Sequence, residues 1–144
     1  MMTYASQQLR PETVLLAIDD NADAHRIADI LRAVGFGVQR VDNVTELDME
    51  IGNLRVASPS ERRADVLLCD EFLGGRSVMK LLAKKHLFVN TFPVVIMTGN
   101  RTPELVSIVR RLGVAGILKH PIESNLLQEA IRHAVVVKST RIAG

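Results

Sequence analysis

An α/β fold, a doubly wound five-stranded parallel sheet with five helices, is what this sequence predicts. Three observations carry that expectation. Five short apolar runs alternate with five stretches of helical period, and no repeat or low-complexity tract interrupts them. TVLLAI (13–18), VLLC (66–69) and FPVVIM (92–97) are continuously apolar, as strands covered on both faces must be. The chemistry-bearing residues gather where these runs end.

Residues 1–12 are polar and aperiodic and read as a loose arm. The first strand, 13–18, stops at Asp19 and Asp20. A helix over 22–34 sets Ile27, Ile30, Leu31 and Val34 on one face, and Gly35 ends it. The second strand, GVQRV (37–41), alternates and is less apolar, which suits a sheet edge. Asn43 and Glu46 make a capping-box pattern for a second helix, with Val44, Leu47, Ile51 and Leu54 inward. Residues 55–63, polar with one proline, read as a loop. The third strand, 65–69, delivers Asp70, and Gly74 with Gly75 marks a turn behind it.

A third helix spans 77–87, with Val78, Leu81 and Leu82 inward. The fourth strand, 92–97, stops at Thr98 and Gly99. Thr102, Pro103 and Glu104 start the next helix: a hydroxyl cap, a proline at the first position, an acid in the first turn. Leu105, Ile108, Val109 and Leu112 form its apolar face and Gly113 stops it. The fifth strand, 114–118, is closed by Lys119, His120 and Pro121. A last helix, 124–137, buries Leu127, Ala130, Ile131, Ala134 and Val135, and 138–144 reads as a polar tail. Residues 135–137 have a second use open to them, a homodimer contact. The whole chain, 1–144, reads as one domain.

Composition narrows the class. A chain of 144 residues can bury a real core. Hydrophobic residues at 47% and charged residues at 24% are an ordinary globular balance. A net charge of +2 is too small to argue for nucleic acid as a partner. The single cysteine, Cys69, excludes a disulfide framework within the chain and suits a reducing compartment. No apolar run approaches the roughly 18 residues of a membrane span, and the N-terminus lacks a signal-peptide block. The expectation is a cytoplasmic protein with no membrane partner.

In open sheets of this kind, ligands bind beyond the carboxyl ends of the strands, at the topological switch point. Asp19, Asp20, Asp70, Thr98 and His120 all fall at strand ends. Three carboxylates there repel one another, and a divalent cation relieves the repulsion. An all-oxygen site with open positions suits Mg²⁺. Mg²⁺ can also neutralise an incoming phosphoryl group and orient it for attack by a carboxylate. Asp70 is read as that carboxylate, with the Thr98 hydroxyl on a phosphoryl oxygen and Gly99 leaving room beside it.

Each residue alone has a plainer reading. Asp19 or Asp20 serves as a turn or helix cap. Thr98 hydrogen-bonds locally, and His120 is a strand-end histidine at the surface. Cys69 is a core residue, not a reactive thiol. His25 is solvated, and Arg101, Arg110, Arg111 and Arg132 are charges on solvated faces.

With these residues in place the chain resembles a receiver domain of two-component response regulators, the CheY-like family, from about residue 12 to 137. The matching pieces are LLAIDD, LLCDEFL (67–73), PVVIMTG (93–99) and GVAGILKHP (113–121), in order and on the right elements. The resemblance implies the strand order 2-1-3-4-5. It implies that Asp70 takes a phosphoryl group from a histidine kinase or phosphotransfer protein. It implies that Asp20 and Asp70 bind Mg²⁺ directly with the backbone carbonyl of Phe72, Asp19 acting through a metal-bound water. Thr98 would follow the phosphate and move the fourth helix.

The chain departs from the family at several points. Aligning Pro121 puts His120 where the family has a lysine that pairs with the phosphorylated aspartate. Lys119, one residue earlier, points to the other face of the strand. A histidine is shorter, and its charge depends on pH. Ile117 stands where an aromatic switch residue is common. Gly74 replaces a proline, and Ser77 with Val78 replaces the usual Asp-Gly.

The expected function is therefore a response-regulator receiver accepting a phosphoryl group on Asp70 with Mg²⁺ and signalling to a downstream protein by contact. It would be no enzyme beyond its own phosphotransfer and dephosphorylation. The alternative is a receiver-like interaction module that is phosphorylated poorly or not at all. A flavin or dinucleotide binder would want a Gly- or Ser/Thr-rich loop after the first strand, where this chain has acidic DDNADAH.

Overall fold

The computed structural model describes residues 11–58 and 60–143, with 137–143 as backbone alone. The order is β1 (Thr13–Ala17), α1 (Asn21–Ala33), β2 (Gly37–Val41), α2 (Val44–Val56), β3 (Val66–Asp70), β4 (Phe72–Leu73), β5 (Arg76–Ser77), α3 (Val78–Lys84), α4 (His86–Thr91), β6 (Val94–Thr98), α5 (Pro103–Leu112), β7 (Gly116–Lys119) and α6 (Ser124–Ala143). Five strands pair in parallel as β2-β1-β3-β6-β7. With the short β4–β5 ladder set aside, this is the order 2-1-3-4-5 implied by the resemblance.

Successive strand residues point to opposite faces, and this sorts the apolar runs into two cores. Val14, Leu16, Val66, Leu68, Val95 and Met97 pack with Ile27 and Leu31 of α1 and Leu127, Ile131 and Ala134 of α6. Leu15, Ala17, Leu67, Cys69, Val94 and Ile96 pack with the inner faces of α2, α3, α4 and α5. A run apolar at every position is what two covered faces require. The less apolar β2 lies at one edge, as its alternation predicts.

The helix starts form as their side chains dictate. Asn43 Oδ1 accepts from the Glu46 N–H at 2.8 Å. The returning Glu46 carboxylate takes the Asp42 N–H at 2.7 Å, one residue before the N-cap. Thr102 Oγ1 accepts from the Leu105 N–H at 3.1 Å, and Gly113 closes α5 in the left-handed region at φ 77°.

Several expectations are corrected. Among the described residues there are six helices, because the helix predicted over 77–87 breaks at Lys85. A separate turn, α4, follows and buries Phe88 and Val89, with the Phe88 and Phe92 rings stacked 4.8 Å apart. Val34 is 38% exposed, since it lies at the C-cap of α1, past the inward face. The fourth and fifth strands are shifted, to Val94–Thr98 and Gly116–Lys119. The tail predicted from 138 continues α6 to Ala143, because no Gly or Pro interrupts it. The arm expected over 1–12 lies, but for Pro11 and Glu12, outside the described residues. The side chain of Val137 and all of Gly144 do too, so the dimer contact expected over 135–137 falls partly outside them. No helix among the described residues is long and apolar enough to cross a membrane.

Candidate functional site

Asp70 ends β3, the middle strand of the sheet, where the run Val66–Cys69 stops being apolar. Its side chain is 14% exposed. Both oxygens are engaged. Oδ2 accepts from the Asp19 N–H at 2.9 Å, and Oδ1 lies 3.0 Å from His120 Nε2. An ionised carboxylate only accepts, so Nε2 carries the hydrogen in this contact.

Asp19 and Asp20 follow β1, the neighbour of β3. Asp19 Oδ1 accepts from the Gly74 N–H at 2.9 Å, which ties the end of β1 to the turn between β4 and β5. That turn has φ of 55° at Gly74 and 78° at Gly75. Two positive φ angles in a two-residue hairpin loop are the mark of a type I′ turn, and glycine adopts them without strain. Asp20 takes the plainer role as well: Oδ1 caps α1 by accepting from the Asp23 N–H at 2.8 Å. Among the described residues its second oxygen has no partner.

Thr98 ends β6, on the other side of β3, and is 1% exposed. Its hydroxyl lies 2.8 Å from Glu71 Oε1 and 3.1 Å from the Asn100 carbonyl, and it accepts from the Asn100 N–H at 3.1 Å. It is turned to Glu71, not to Asp70. His120 follows β7, half-buried, with its N–H donating to the Thr98 carbonyl at 2.8 Å. Its ring reaches Asp70 although it is shorter than a lysine. Lys119 beside it is exposed, and Ile117 packs against the core under α5.

Asp19, Asp20, Asp70, Phe72, Thr98 and His120 thus line one open cleft of about 740 Å³, together with Gly99 and Pro121. Five carboxylates border it, from Asp19, Asp20, Asp23, Asp70 and Glu71, and among the described residues no lysine or arginine does. Such a cleft draws cations and repels a bare phosphoryl group. The donors are hard oxygens, the kind Mg²⁺ takes. No three acidic, imidazole or thiol groups among the described residues stand close enough to enclose an ion. Mg²⁺ needs no such cage, because it usually keeps several waters and one or two carboxylates. The residues fit that ion in kind.

Two side chains went unread in the sequence. Nothing local marks Glu71, whose approach to Thr98 follows from pairing Asp70 with Met97 across β3 and β6. Arg40 of β2 donates to the Ile18 carbonyl at 3.0 Å and holds the chain just before Asp19. His25 is exposed, as expected. Cys69 is buried, and burial, with the charge of Asp70 as a lesser cause, pushes its thiol far above the ordinary range. It carries no chemistry here.

No family model and no curated protein matches this sequence. Solved structures do. The chain is similar to a CheY-like response regulator receiver domain protein from Methanospirillum hungatei JF-1, at 20% identity and TM-score 0.76, over 90% of this chain and 98% of that one. It is similar to a response regulator receiver domain protein from Clostridium thermocellum, at 22% identity and TM-score 0.74, over 90% and 98%. It is similar to the signal receiver domain of an HD domain-containing protein from Pseudomonas fluorescens Pf-5, at 18% identity and TM-score 0.76, over 93% of each. The fold of this chain is the receiver-domain fold.

Proposed function

We propose that this chain is a receiver in two-component signalling and that Asp70 accepts a phosphoryl group with Mg²⁺. One observation carries the reading. Asp70 presents its carboxylate at the end of the middle strand, in a cleft of five acids, with an imidazole on one oxygen. The neighbouring receiver domains of known structure support the same reading.

Asp20 and Asp70 would hold Mg²⁺ with the Phe72 carbonyl, and Asp19 through water. Bound there, the ion supplies the positive charge that lets a phosphoryl group enter an acidic cleft. A carboxylate oxygen of Asp70 forms the bond to phosphorus. The bond from phosphorus to the donor breaks, and its electron pair leaves with the donor. His120, through Nε2, and Thr98, through Oγ1, each have a hydrogen to offer the phosphoryl oxygens. The donor is a histidine kinase or phosphotransfer protein, and output goes to a downstream protein by surface contact. Catalysis is limited to the chain's own phosphotransfer and dephosphorylation.

A second reading, a receiver-like interaction module phosphorylated poorly or not at all, has its own support. Both Asp70 oxygens and the Thr98 hydroxyl are already engaged. A phosphotransfer assay separates the two. With Mg²⁺ and a small phosphodonor, labelling that vanishes in Asp70→Ala supports the first. No labelling, where a control receiver is labelled, supports the second.

A further inference from the structure

We propose that Glu71 is a positioning residue: it holds the Thr98 hydroxyl away from Asp70 and must release it before a phosphoryl group is stabilised there. This rests on the reading of Asp70 as the acceptor. A threonine hydroxyl has one hydrogen to donate. In this structure that hydrogen has two acceptors, Glu71 Oε1 at 2.8 Å and the Asn100 carbonyl at 3.1 Å. The shorter contact goes to an ionisable carboxylate, and hydrogen bonds to a charged acceptor are roughly twice as strong as neutral ones. A phosphoryl oxygen on Asp70 must therefore compete with Glu71 for Thr98.

The backbone around Glu71 is held in the sheet and turn, while its side chain has, among the described residues, one hydrogen bond, that from Thr98. The Glu71 N–H donates to the Met97 carbonyl at 3.0 Å, and its own carbonyl accepts from the Val78 N–H at 2.9 Å. The side chain is only half-buried and borders the open cleft. It can swing toward solvent without breaking a strand pair. A phosphoryl group arriving on Asp70 brings negative charge into a cleft that already holds Glu71, and like charges favour that swing. The Thr98 hydroxyl thus has two discrete arrangements, one on Glu71 and one on the phosphoryl group. The protein moves between them by one side-chain rotation.

The inference predicts that Glu71→Ala is phosphorylated by a small phosphodonor roughly tenfold faster than wild type, the scale of one hydrogen bond to a charged group. Glu71→Gln keeps an acceptor oxygen without the charge and falls between. The decisive readout is the Thr98→Ala background. There the gain from Glu71→Ala disappears, because the residue acts through Thr98. Circular dichroism and the thermal midpoint confirm that each variant is folded, and Glu71→Gln serves if Glu71→Ala is not. A wild type that is labelled and variants no faster than it overturn this inference and leave the acceptor reading standing. A gain that persists undiminished in Thr98→Ala also overturns it, since Glu71 would then act by charge alone. No labelling of any variant overturns the acceptor reading, and this inference with it.

Discussion

His120 Nε2 lies 3.0 Å from Asp70 Oδ1, so the residue that departs from the family pattern touches the residue the site is built around. The histidine is short, but β7 carries it to the end of the cleft, and its N–H on the Thr98 carbonyl fixes its backbone at 2.8 Å. The contact makes His120 a partner of Asp70 rather than a surface bystander.

That geometry gives a mutational expectation. His120→Ala removes the donor from Oδ1 and should slow phosphorylation of Asp70 by about tenfold or more, the scale of a hydrogen bond to a charged group. His120→Lys should match or exceed wild type, because a lysine also donates and reaches farther. Initial rates of labelling by a small phosphodonor check both. An unchanged rate in His120→Ala would show that the contact is idle.

Mg²⁺ dependence is the next expectation. With five carboxylates and, among the described residues, no lysine or arginine lining the cleft, labelling should stop when the ion is chelated and return when Mg²⁺ is restored. Asp20→Ala should raise the Mg²⁺ concentration needed for half-maximal labelling. It should also cost about 1 kcal/mol of stability through the lost cap of α1. Titration of labelling against Mg²⁺, beside urea unfolding, separates the two effects. Labelling at full rate in chelator would remove the metal from the account.

The hairpin behind the site is testable through its backbone. Gly75 sits at φ 78° with nothing within 4 Å of an added Cβ, so strain and not crowding decides the outcome. Gly75→Val should destabilise the fold by about 1–2 kcal/mol from the left-handed backbone alone. It should also loosen the Gly74 N–H that Asp19 accepts at 2.9 Å. A shift of the urea midpoint measures the first effect, and a raised Mg²⁺ requirement the second.

Cys69 predicts a pH and reactivity pattern. Its thiol is held protonated by burial first and by Asp70 second, well above the ordinary thiol value of about 9.0 that exposure on unfolding restores. The folded state therefore binds the proton more tightly than the unfolded state. Its contribution is full below pH 9 and falls as pH rises above it, by about 1.4 kcal/mol per pH unit. A thiol reagent at pH 8 should leave native protein unmodified and react only as fast as the chain unfolds. Rapid modification of the native state would contradict the burial.

Much of this architecture was legible in the chain because its signals are local. TVLLAI, VLLC and FPVVIM must be covered on both faces whatever the tertiary detail, and the polar residues that end them, Asp19, Asp20, Asp70 and Thr98, must then meet at the carboxyl ends of the strands. Asn43, Thr102 and Gly113 act within one turn of themselves, so they could be read as caps. The illegible parts depend on pairing. β4 and β5 are two residues each and have no periodicity to show. HLFVNT, the α4 segment, is too short for a helical period to emerge beside Lys85. Glu71 reaches Thr98 only because β3 pairs in a given register with β6, which no stretch of one strand reveals. The plain reading of Asp20 as a cap describes what its side chain does here, and the same residue lines the cleft, where its part in holding an ion is the proposal.

The central claim is that Asp70 is the phosphoacceptor, and intact-mass spectrometry tests it most directly. Folded protein is incubated with Mg²⁺ and a small phosphodonor, beside Asp70→Asn and a control receiver. The account predicts a single phosphoryl adduct on the wild type that is absent from Asp70→Asn. An unmodified wild type beside a labelled control, or an adduct that persists in Asp70→Asn, would contradict it.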